Sequence, residues 1–281
     1  MTFNMWLGGS GGGLPLERSA DVIRSARADL VGVQETSLFP PGHHPDSARA
    51  VAEILGWNYV EQGGNRGILS RFDIVEQTPE RWGACVETPG GPVVWLFNAH
   101  LAHAPYQPYQ LLGIPYADAP FLTTAAEVIS SAQVARSAQV AAMIAEIEAV
   151  STPDAVVFVT GDFNEPSSLD WTDEVANTGR CPVAVAWPTT DAMFAAGFAD
   201  TYRMCHQSAL RSPGCTWSTR TRADDLGDHH DRIDFVMVRG KGVTVTNSEV
   251  VGEHAGPADI VVSPYPSDHR AVVTTVHFPA S

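Results

Sequence analysis

Lysine is nearly absent from this chain: Lys241 is its single lysine in 281 residues, beside sixteen arginines, and the net charge is −15. Proteins that bind nucleic acid without sequence preference rely largely on lysine and arginine to neutralise phosphates. The shortage therefore disfavours a processive or genome-scanning nuclease. A cation-assisted enzyme is still compatible with this charge, because a bound divalent metal inverts the local electrostatics. On charge alone we expect a small phosphorylated substrate, with nucleic acid as the less favoured alternative.

Long apolar runs are missing as well. No stretch approaches the roughly 18 apolar residues of a membrane-spanning helix, so we expect no membrane span. A cationic start followed by an apolar run, which would mark a secretory signal, is not present either. The chain opens almost directly on strand-like residues 2–6, as expected if a longer native amino terminus precedes them. Localisation therefore stays open between the cytoplasm and export with the signal absent from this chain.

Paired cysteines are also lacking. None of the four cysteines belongs to a CxxC motif, which disfavours a structural zinc site. Cys205 and Cys215 are close enough in sequence to close a short loop in an exported protein. Free, mostly buried thiols are the favoured interpretation.

The composition that is present fits a folded globular protein, with 44% hydrophobic and 17% charged residues. Helical patterns are predicted at 17–29, 46–55, 124–149, near 170–176 and near 189–196. Strands are predicted at 30–33, 58–62, 66–70, 73–77, 81–87, 92–99, 155–160 and near 233–238, 243–250 and 271–278. These mixed strands with helices between them predict an α/β fold, a two-sheet sandwich with helices outside, in one domain covering residues 1–281.

The most informative motif is Gly161-Asp162-Phe163-Asn164, which follows the apolar, β-branched run at 155–160. A buried strand there would present the Asp162 carboxylate and the Asn164 amide on one face at its carboxyl end. Such a pair suits phosphoryl chemistry, since a carboxylate can position water and an amide can hold a phosphate oxygen. Taken alone the motif is unspecific, because Gly, Asp and Asn also form ordinary turns.

Polar residues at the ends of other predicted strands favour the functional interpretation. They are Asn4, Gln34-Glu35, Asn98, His100, Asp234 and Ser267-Asp268-His269. The carboxylates of Glu35, Asp162 and Asp268 are hard oxygen ligands that suit Mg²⁺ or Mn²⁺ rather than zinc. Asp234, with a late histidine, fits a carboxylate that orients an imidazole.

In order, the stretches TFNMW, GVQE, GILSRFDI, FNAHL, GDFN, RIDFV and SDH resemble the endonuclease/exonuclease/phosphatase family. This is the group of deoxyribonuclease I, the apurinic endonucleases and the neutral sphingomyelinases. The matching stretches run from residue 2 to residue 269. The resemblance implies a four-layer α-β-β-α sandwich of two mixed β-sheets, and divalent-metal hydrolysis of a phosphate ester.

The resemblance also implies roles for individual residues. The metal site, for Mg²⁺ or Mn²⁺, would involve Asn4, Glu35 and Asp268, with Glu35 as the principal ligand. The catalytic residues would be His100, Asp162, Asn164, Asp234 and His269. Among these, Asp162 orients water, Asn164 binds phosphate and Asp234 holds the His269 ring. His100 would lie near the leaving group.

Two segments fall outside these motifs. Residues 8–14 form a glycine-rich loop without the lysine of a phosphate-cradling P-loop. Residues 104–123 carry four prolines and three tyrosines, and a long irregular segment in a compact domain is usually functional. Tyr106, Tyr109 and Tyr116 are predicted substrate contacts, with surface packing as the alternative. Arg66 is predicted to reach a phosphate.

We therefore expect a monomeric Mg²⁺- or Mn²⁺-dependent phosphoesterase acting on a small or lipid-derived phosphodiester. The first alternative is a metal-dependent endonuclease or exonuclease acting on nucleic acid. The second, from another class, is a catalytically silent binding module on the same fold. It is disfavoured because every expected ligand position is filled.

Overall fold

The computed structural model describes residues 1–37 and 46–279, and His43 and His44 lie outside them. Within the described ranges the strands are β1 (Thr2–Asn4), β2 (Leu30–Gln34), β3 (Asn58–Gly63), β4 (Arg66–Ser70), β5 (Asp73–Gln77), β6 (Gly83–Glu87), β7 (Val93–His100), β8 (Val156–Asp162), β9 (Ala199–Asp200), β10 (Asp234–Arg239), β11 (Thr244–Gly252), β12 (Ile260–Val261) and β13 (Ala271–His277). The helices there are α1 (Glu17–Ser25), α2 (Ser47–Leu55), α3 (Gln107–Leu112), α4 (Ala125–Val150), α5 (Asp173–Ala176), α6 (Pro188–Ala195) and α7 (Thr201–Cys205).

These strands form two mixed sheets. The first has the order β12-β11-β13-β1-β2-β4-β3, and the second has the order β5-β6-β7-β8-β10-β9. The pairs β1–β2 and β7–β8 are parallel, whereas β2–β4 and β8–β10 are antiparallel. The predicted pair of mixed sheets is confirmed.

The side chains alternate between two apolar layers, as the two-residue period of a strand requires. In β7, Leu96 points between the sheets while its neighbour Phe97 packs under α4 and α6. In β2, Val31 and Val33 pack under α1 and α2. The helices therefore cover the outer face of each sheet, and the four-layer arrangement is confirmed.

Gly32 allows the two sheets to approach each other closely. A Cβ atom at position 32 would lie 2.0 Å from Oγ1 of Thr160 and 2.5 Å from Oδ1 of Asn98. Asn98 in turn accepts a hydrogen bond from Gln34 Nε2 at 2.6 Å. Gln34 and Asn98, two of the polar residues at strand ends, thus form a buried network that joins the sheets.

The parallel pairs bring the polar residues to one edge of the sandwich, called here the polar edge. It contains the carboxyl ends of β1, β2, β7 and β8 and the residues that follow them. The Asn4 Nδ2 atom lies 3.0 Å from Asp162 Oδ2 across the two sheets. Strand β10 runs antiparallel to β8, and Asp234 at the start of β10 pairs with Asp162 at the end of β8. Residues far apart in sequence therefore meet at the carboxyl ends of the parallel strands.

Several predicted bounds differ from the structure. Helix α1 ends at Ser25 rather than 29, and α5 covers only Asp173–Ala176 of the predicted 170–176. The 104–123 segment is not irregular throughout, because α3 begins inside it with a proline in its first turn and ends at Gly113, with φ of 72°. The short elements α7, β9 and β12 were not predicted, since two to five residues carry too little periodicity.

A cavity of about 1040 Å³ opens between the sheets at the end opposite the polar edge. Its inner wall includes Leu30, Val94, Leu96 and Phe158. None of the helices in the described ranges is both long and apolar enough to cross a bilayer. All four cysteines are free thiols, in agreement with the sequence.

The side chain of Arg136 on α4 fixes the start of the 104–123 segment. It is fully buried and donates to the carbonyl oxygens of Ala102 at 2.8 Å and Pro105 at 2.7 Å, and to Gln107 Oε1 at 2.6 Å. It also lies 3.6 Å from the buried carboxylate of Glu165. These contacts tie the segment to the body of the protein.

We expect Arg136→Met to lower the free energy of unfolding by about 3–5 kcal/mol, because it leaves a buried carboxylate without its counterion. Urea denaturation measures the loss. Arg71→Met removes a surface pair with Asp29 and should change the stability by at most about 1 kcal/mol. Equal losses in the two variants would contradict the anchoring role of Arg136.

Candidate active site

The pair formed by Asp234 and His269 is the best-defined feature of the polar edge. Nδ1 of His269 lies 2.9 Å from Oδ2 of Asp234, and both side chains are buried. The backbone N–H of His269 donates to Ser267 Oγ, whose hydroxyl donates to the Asn4 carbonyl. Asp234 therefore holds the ring at Nδ1 and Ser267 holds the backbone of His269, while the Nε2 atom lies 3.7 Å from Oδ2 of Asp162.

Electrostatics favour a charged His269. Burial alone lowers the pKa of its ring, but the carboxylates of Asp234 and Asp162 outweigh that effect and raise the pKa to about 10. Burial raises the pKa of Asp234, while the adjacent imidazolium opposes the rise. We describe the pair as imidazolium and carboxylate.

Asp162 lies at the centre of the polar edge. Its Oδ1 atom accepts the backbone N–H of Asn164 at 2.8 Å, and its Oδ2 atom accepts from Asn4 Nδ2 at 3.0 Å. Nε2 of His100 also lies 3.7 Å from Oδ2. Burial lowers the pKa of His100, against the opposite pull of Asp162 and Glu35. A neutral His100 and a cationic His269 therefore face one carboxylate.

Glu35 and Asp268 supply the remaining carboxylates. Glu35 accepts from Asn4 Nδ2 at 3.2 Å and from the backbone N–H of Leu7 at 2.9 Å. Oδ1 of Asp268 is buried and has no hydrogen-bond partner in the described part of the chain. Burial raises the pKa of Asp268 to about 6, with a further contribution from the Glu35 charge. A polar edge that carries the Glu35 carboxylate and a buried Asp268 oxygen without a hydrogen-bond partner among the described residues offers hard donors that suit a divalent cation such as Mg²⁺ or Mn²⁺.

The side chains of Asp162, Asp234 and His269 also lie close enough together for one ion to contact all three. We favour the Glu35 and Asp268 side, because the His269 ring is already engaged by Asp234 and carries both of its protons. A protonated imidazole has no lone pair to offer a metal.

Backbone conformation is unusual around this edge. The φ angles of Trp6, Glu35 and Asn164 are 55°, 53° and 49°, in the left-handed region that non-glycine residues seldom adopt. Each such residue costs on the order of 1–3 kcal/mol and persists only where its surroundings hold it. This concentration of strain coincides with the carboxylates and supports a functional role for the edge.

The sequence model of the endonuclease/exonuclease/phosphatase family matches residues 1–269 of this chain. The chain belongs to this family. Its members include metal-dependent phosphodiesterases and nucleases. The uncharacterized protein F14F9.5 of Caenorhabditis elegans is 26% identical over 305 residues, which cover 99% of this chain and 90% of that protein.

Solved structures of the family have the same fold. An endonuclease/exonuclease/phosphatase from Beutenbergia cavernae is 17% identical, with a TM-score of 0.59, and the match covers 99% of this chain and 70% of that one. An AP endonuclease from Archaeoglobus fulgidus is 16% identical, with a TM-score of 0.57, and the match covers 99% and 98%. At these identities the likeness shows the fold alone.

Among the family-derived residues, the structure brings together Asn4, Glu35, His100, Asp162, Asn164, Asp234, Asp268 and His269. Their chemical roles stay predictions. The amide of Asn164 already donates to the Leu101 carbonyl at 3.1 Å, which orients it beside Asp162.

The tyrosines of the 104–123 segment lie in different environments. Tyr106 is buried and its hydroxyl donates to Asp231 at 2.7 Å, while the Tyr109 hydroxyl donates to Asp228. Tyr116 is 38% exposed. Burial, then the charges of Glu35 and Asp162, raise the pKa of Tyr116. Its ring packs edge-on against Tyr109, with ring centres 5.8 Å apart. Substrate contact by Tyr106 and Tyr109 stays a prediction, and their hydroxyls are already hydrogen-bonded.

Arginine and tryptophan side chains stack on each other near the site. Arg66 pairs with Gln34, the residue before Glu35, and its guanidinium lies 4.3 Å from the ring centre of Trp82. Its contact with phosphate stays a prediction. Trp217 packs on His269 with ring centres 4.8 Å apart and donates to the Tyr109 hydroxyl at 3.1 Å. No sequence signal marked this contact.

The other histidines near the site have lesser roles. His103 is exposed, with its ring 6.4 Å from that of Tyr116. His229 and His230 are half-buried. His229 packs edge-on against Trp171, and His230 contacts the Thr221 hydroxyl at 2.9 Å.

Proposed function

We propose that this chain is a divalent-metal-dependent phosphodiesterase that hydrolyses a small or lipid-derived phosphodiester. The observation that carries the proposal is the arrangement at the polar edge. A cationic His269 and the Asp162 carboxylate face each other at 3.7 Å, beside the unpartnered oxygen of Asp268. One site thus contains groups that can orient water, bind phosphate oxygens and hold a cation.

The cation would be held by Glu35 and Asp268, with Asn4 orienting the Glu35 carboxylate. A bound Mg²⁺ or Mn²⁺ supplies Lewis-acid polarisation of the phosphate and offsets the charge of the transition state. Both carboxylates are hard oxygen donors, which these ions prefer.

The protein's own residues then account for positioning and proton transfer. Asp162 orients the attacking water and accepts its proton as the oxygen–phosphorus bond forms. The bond to the leaving oxygen breaks, and that oxygen departs with the electron pair and takes a proton from solvent. We assign the proton of the attacking water to Asp162 rather than to His269, because the carboxylates of Asp234 and Asp162 raise the pKa of the His269 ring. Its Nε2–H instead donates to a phosphate oxygen, in line with electrostatic stabilisation by a prealigned donor. The Asn164 amide assists at a second oxygen, and neutral His100 lies on the leaving-group side.

The surroundings of this site support the proposed substrate class. The net charge of −15 opposes wide contact with a polyanion. Tyr116 gives the mouth of the site an exposed aromatic face, and Leu112 and Phe121 of the same segment are 40% and 56% exposed. An organic group attached to the phosphate would pack against such a surface.

Nucleic acid is the second candidate. It is supported by the stacked guanidinium of Arg66, which lacks a carboxylate partner among the described residues, and by the fold shared with an AP endonuclease. Arginines of this kind bind phosphates without a broad basic surface.

A substrate panel tests the proposal. Bis-p-nitrophenyl phosphate, p-nitrophenyl phosphate, a glycerophosphodiester and a single-stranded oligonucleotide would each be incubated with Mn²⁺, with Mg²⁺ and with a chelator. We expect metal-dependent cleavage of the small diesters to exceed that of the oligonucleotide. Faster cleavage of the oligonucleotide would establish the second candidate. Failure to cleave any ester with either metal would instead support a silent binding module.

Tyr116→Ala should weaken discrimination among natural diesters by about tenfold, while cleavage of bis-p-nitrophenyl phosphate continues. Removing the ring takes away an apolar wall without disturbing the buried anchor at Arg136. Phe121→Ala, which truncates a more exposed aromatic of the same segment, is the matched control. The measurement is kcat/KM for each diester. Unchanged ratios in Tyr116→Ala would show that the tyrosine is surface packing.

A further inference from the structure

Arg220 and Trp6 form a stacked pair at the rim of the active site. The guanidinium carbon of Arg220 lies 5.0 Å from the centre of the Trp6 ring. The arginine is exposed, and its guanidinium has no hydrogen bond or ion pair within residues 1–37 and 46–279. In a chain with a net charge of −15, a positioned arginine without an acidic partner needs an explanation.

Each member of the pair is tied to one side of the carboxylate site. The backbone N–H of Trp6 donates to Asn4 Oδ1 at 3.0 Å, and the next residue, Leu7, donates to Glu35. On the other side Thr219, which precedes Arg220, donates its N–H to the Asp268 carbonyl at 2.8 Å. The stack therefore lies beside the two carboxylates that suit a cation.

The glycine-rich loop holds the indole in place. A Cβ atom on Gly11 would lie 2.2 Å from Cδ2 of Trp6, so the loop backbone packs directly against the ring. A side chain at this position would displace the ring. Gly11 thus has a structural explanation that does not involve cradling a phosphate, and the indole is a fixed platform for Arg220.

Stacking leaves the edge of a guanidinium available. Its N–H donors lie in the plane of the group, so an aromatic ring against one face leaves these donors free. Such an edge matches two oxygens of a phosphate group. Arg222, two residues further on, differs because it is paired with Asp224 at 2.9 Å.

We propose that Arg220, held on Trp6, binds a second phosphate group of the substrate, outside the scissile ester. This inference rests on the proposed phosphodiesterase function and narrows its substrate to a diester that carries a further phosphate. That phosphate belongs either to a phosphorylated small molecule or to the next unit of a nucleic-acid strand.

The test compares a thymidine dinucleotide with and without a 5′-phosphate, in the presence of Mn²⁺. We expect the wild-type protein to prefer the phosphorylated dinucleotide by about tenfold in kcat/KM, the effect of one charged hydrogen-bonding contact. Arg220→Gln should bring this preference close to one. Arg222→Gln removes the same charge from the same loop and should leave the preference intact.

A second variant separates the effect of positioning Arg220 from the effect of its charge. Trp6→Leu keeps the net charge but removes the platform, so it should also reduce the preference. An equal reduction in Arg220→Gln and Arg222→Gln would overturn the proposal, as would a wild-type protein with no preference. A run of ten thymidines without a 5′-phosphate identifies the source: dependence on Arg220 there assigns the second phosphate to the strand.

Binding provides a readout that does not require hydrolysis. Calorimetry with the metal-free protein should show tighter binding of the phosphorylated dinucleotide, and Arg220→Gln should remove the difference. If no dinucleotide is cleaved but this difference persists, the phosphodiesterase proposal fails for these esters while the Arg220 site stands. If cleavage occurs without any difference in binding or kcat/KM, the Arg220 proposal fails alone.

Discussion

Replacing Glu35 with glutamine will lower the affinity of this protein for Mn²⁺ by about a hundredfold or more, because a neutral amide is a poor substitute for a hard anionic ligand. The change is nearly isosteric. The amide oxygen can still accept from Asn4 Nδ2 or from the Leu7 N–H, so the fold should be retained. Isothermal titration of the purified variant with Mn²⁺ measures the loss.

The geometry supports this expectation at two points. Glu35 follows the buried strand β2 and is held with φ of 53°, which fixes its carboxylate against the end of the sheet. Oδ1 of Asp268 lacks a hydrogen-bond partner in the described structure, as an oxygen that coordinates a cation would. Asp268→Asn should therefore weaken Mn²⁺ binding in the same direction.

Glu87→Gln is the matched control for Glu35. Glu87 is exposed at the far end of β6. The Glu87→Gln protein should therefore bind Mn²⁺ with wild-type affinity. If Glu35→Gln retained wild-type affinity while its thermal unfolding was unchanged, Glu35 would be removed from the site. The three-residue group of Asp162, Asp234 and His269 would then be the alternative location for the ion.

Asp234→Asn will reduce kcat on the order of 10³-fold or more and change KM little, as the loss of an orienting acid does in other histidine sites. The 2.9 Å contact holds the Nδ1–H of His269 and stabilises its positive charge. An asparagine can offer its N–H to Nδ1, which favours the wrong tautomer and a neutral ring. The phosphate then loses a charged donor at the moment when negative charge increases.

Steady-state kinetics on bis-p-nitrophenyl phosphate measures this effect. Asp154→Asn, which alters a surface carboxylate paired with Lys241, is the control and should retain normal turnover. Asp234→Glu should recover part of the activity, since it restores the charge in a slightly different position. A near-normal kcat in Asp234→Asn would show that Asp234 is a strand-end residue of structural use only.

The sequence predicted those strands and helices that depend only on their own residues. The apolar runs in 92–99 and 155–160 predicted β7 and β8, and both are present with nearly the same bounds. The composition of 124–149, rich in Ala, Val and Ile with Glu and Arg interspersed, predicted α4, which begins with a Thr124 capping box. Such elements are determined by nearby residues and their own burial, so a local stretch of sequence is sufficient to detect them.

Side-chain contacts between residues far apart in the chain were harder to predict from the sequence. Gln34 and Asn98 were expected as polar strand ends at the site, but they meet between the sheets because Gly32 allows a close approach. The hydroxyls of Tyr106 and Tyr109 bond to Asp231 and Asp228, more than a hundred residues away, and the sequence did not indicate these partners. Substrate contact by the two tyrosines stays a prediction. The direction of a side chain depends on which partner the fold brings to it, and no local pattern encodes that partner.

By itself the sequence determined the mixed two-sheet architecture, the family, and the set of carboxylates and histidines at strand ends. Each of these rests on residue type and strand position. Only the tertiary structure decided the pairings within that set: a His269 ring whose pKa is raised by Asp234 and Asp162, a His100 ring whose pKa is lowered by burial, and an Asp268 oxygen without a hydrogen-bond partner in the described part of the chain. These properties depend on burial and on distances of a few ångströms between residues far apart in the chain, and both are set by how the two sheets pack.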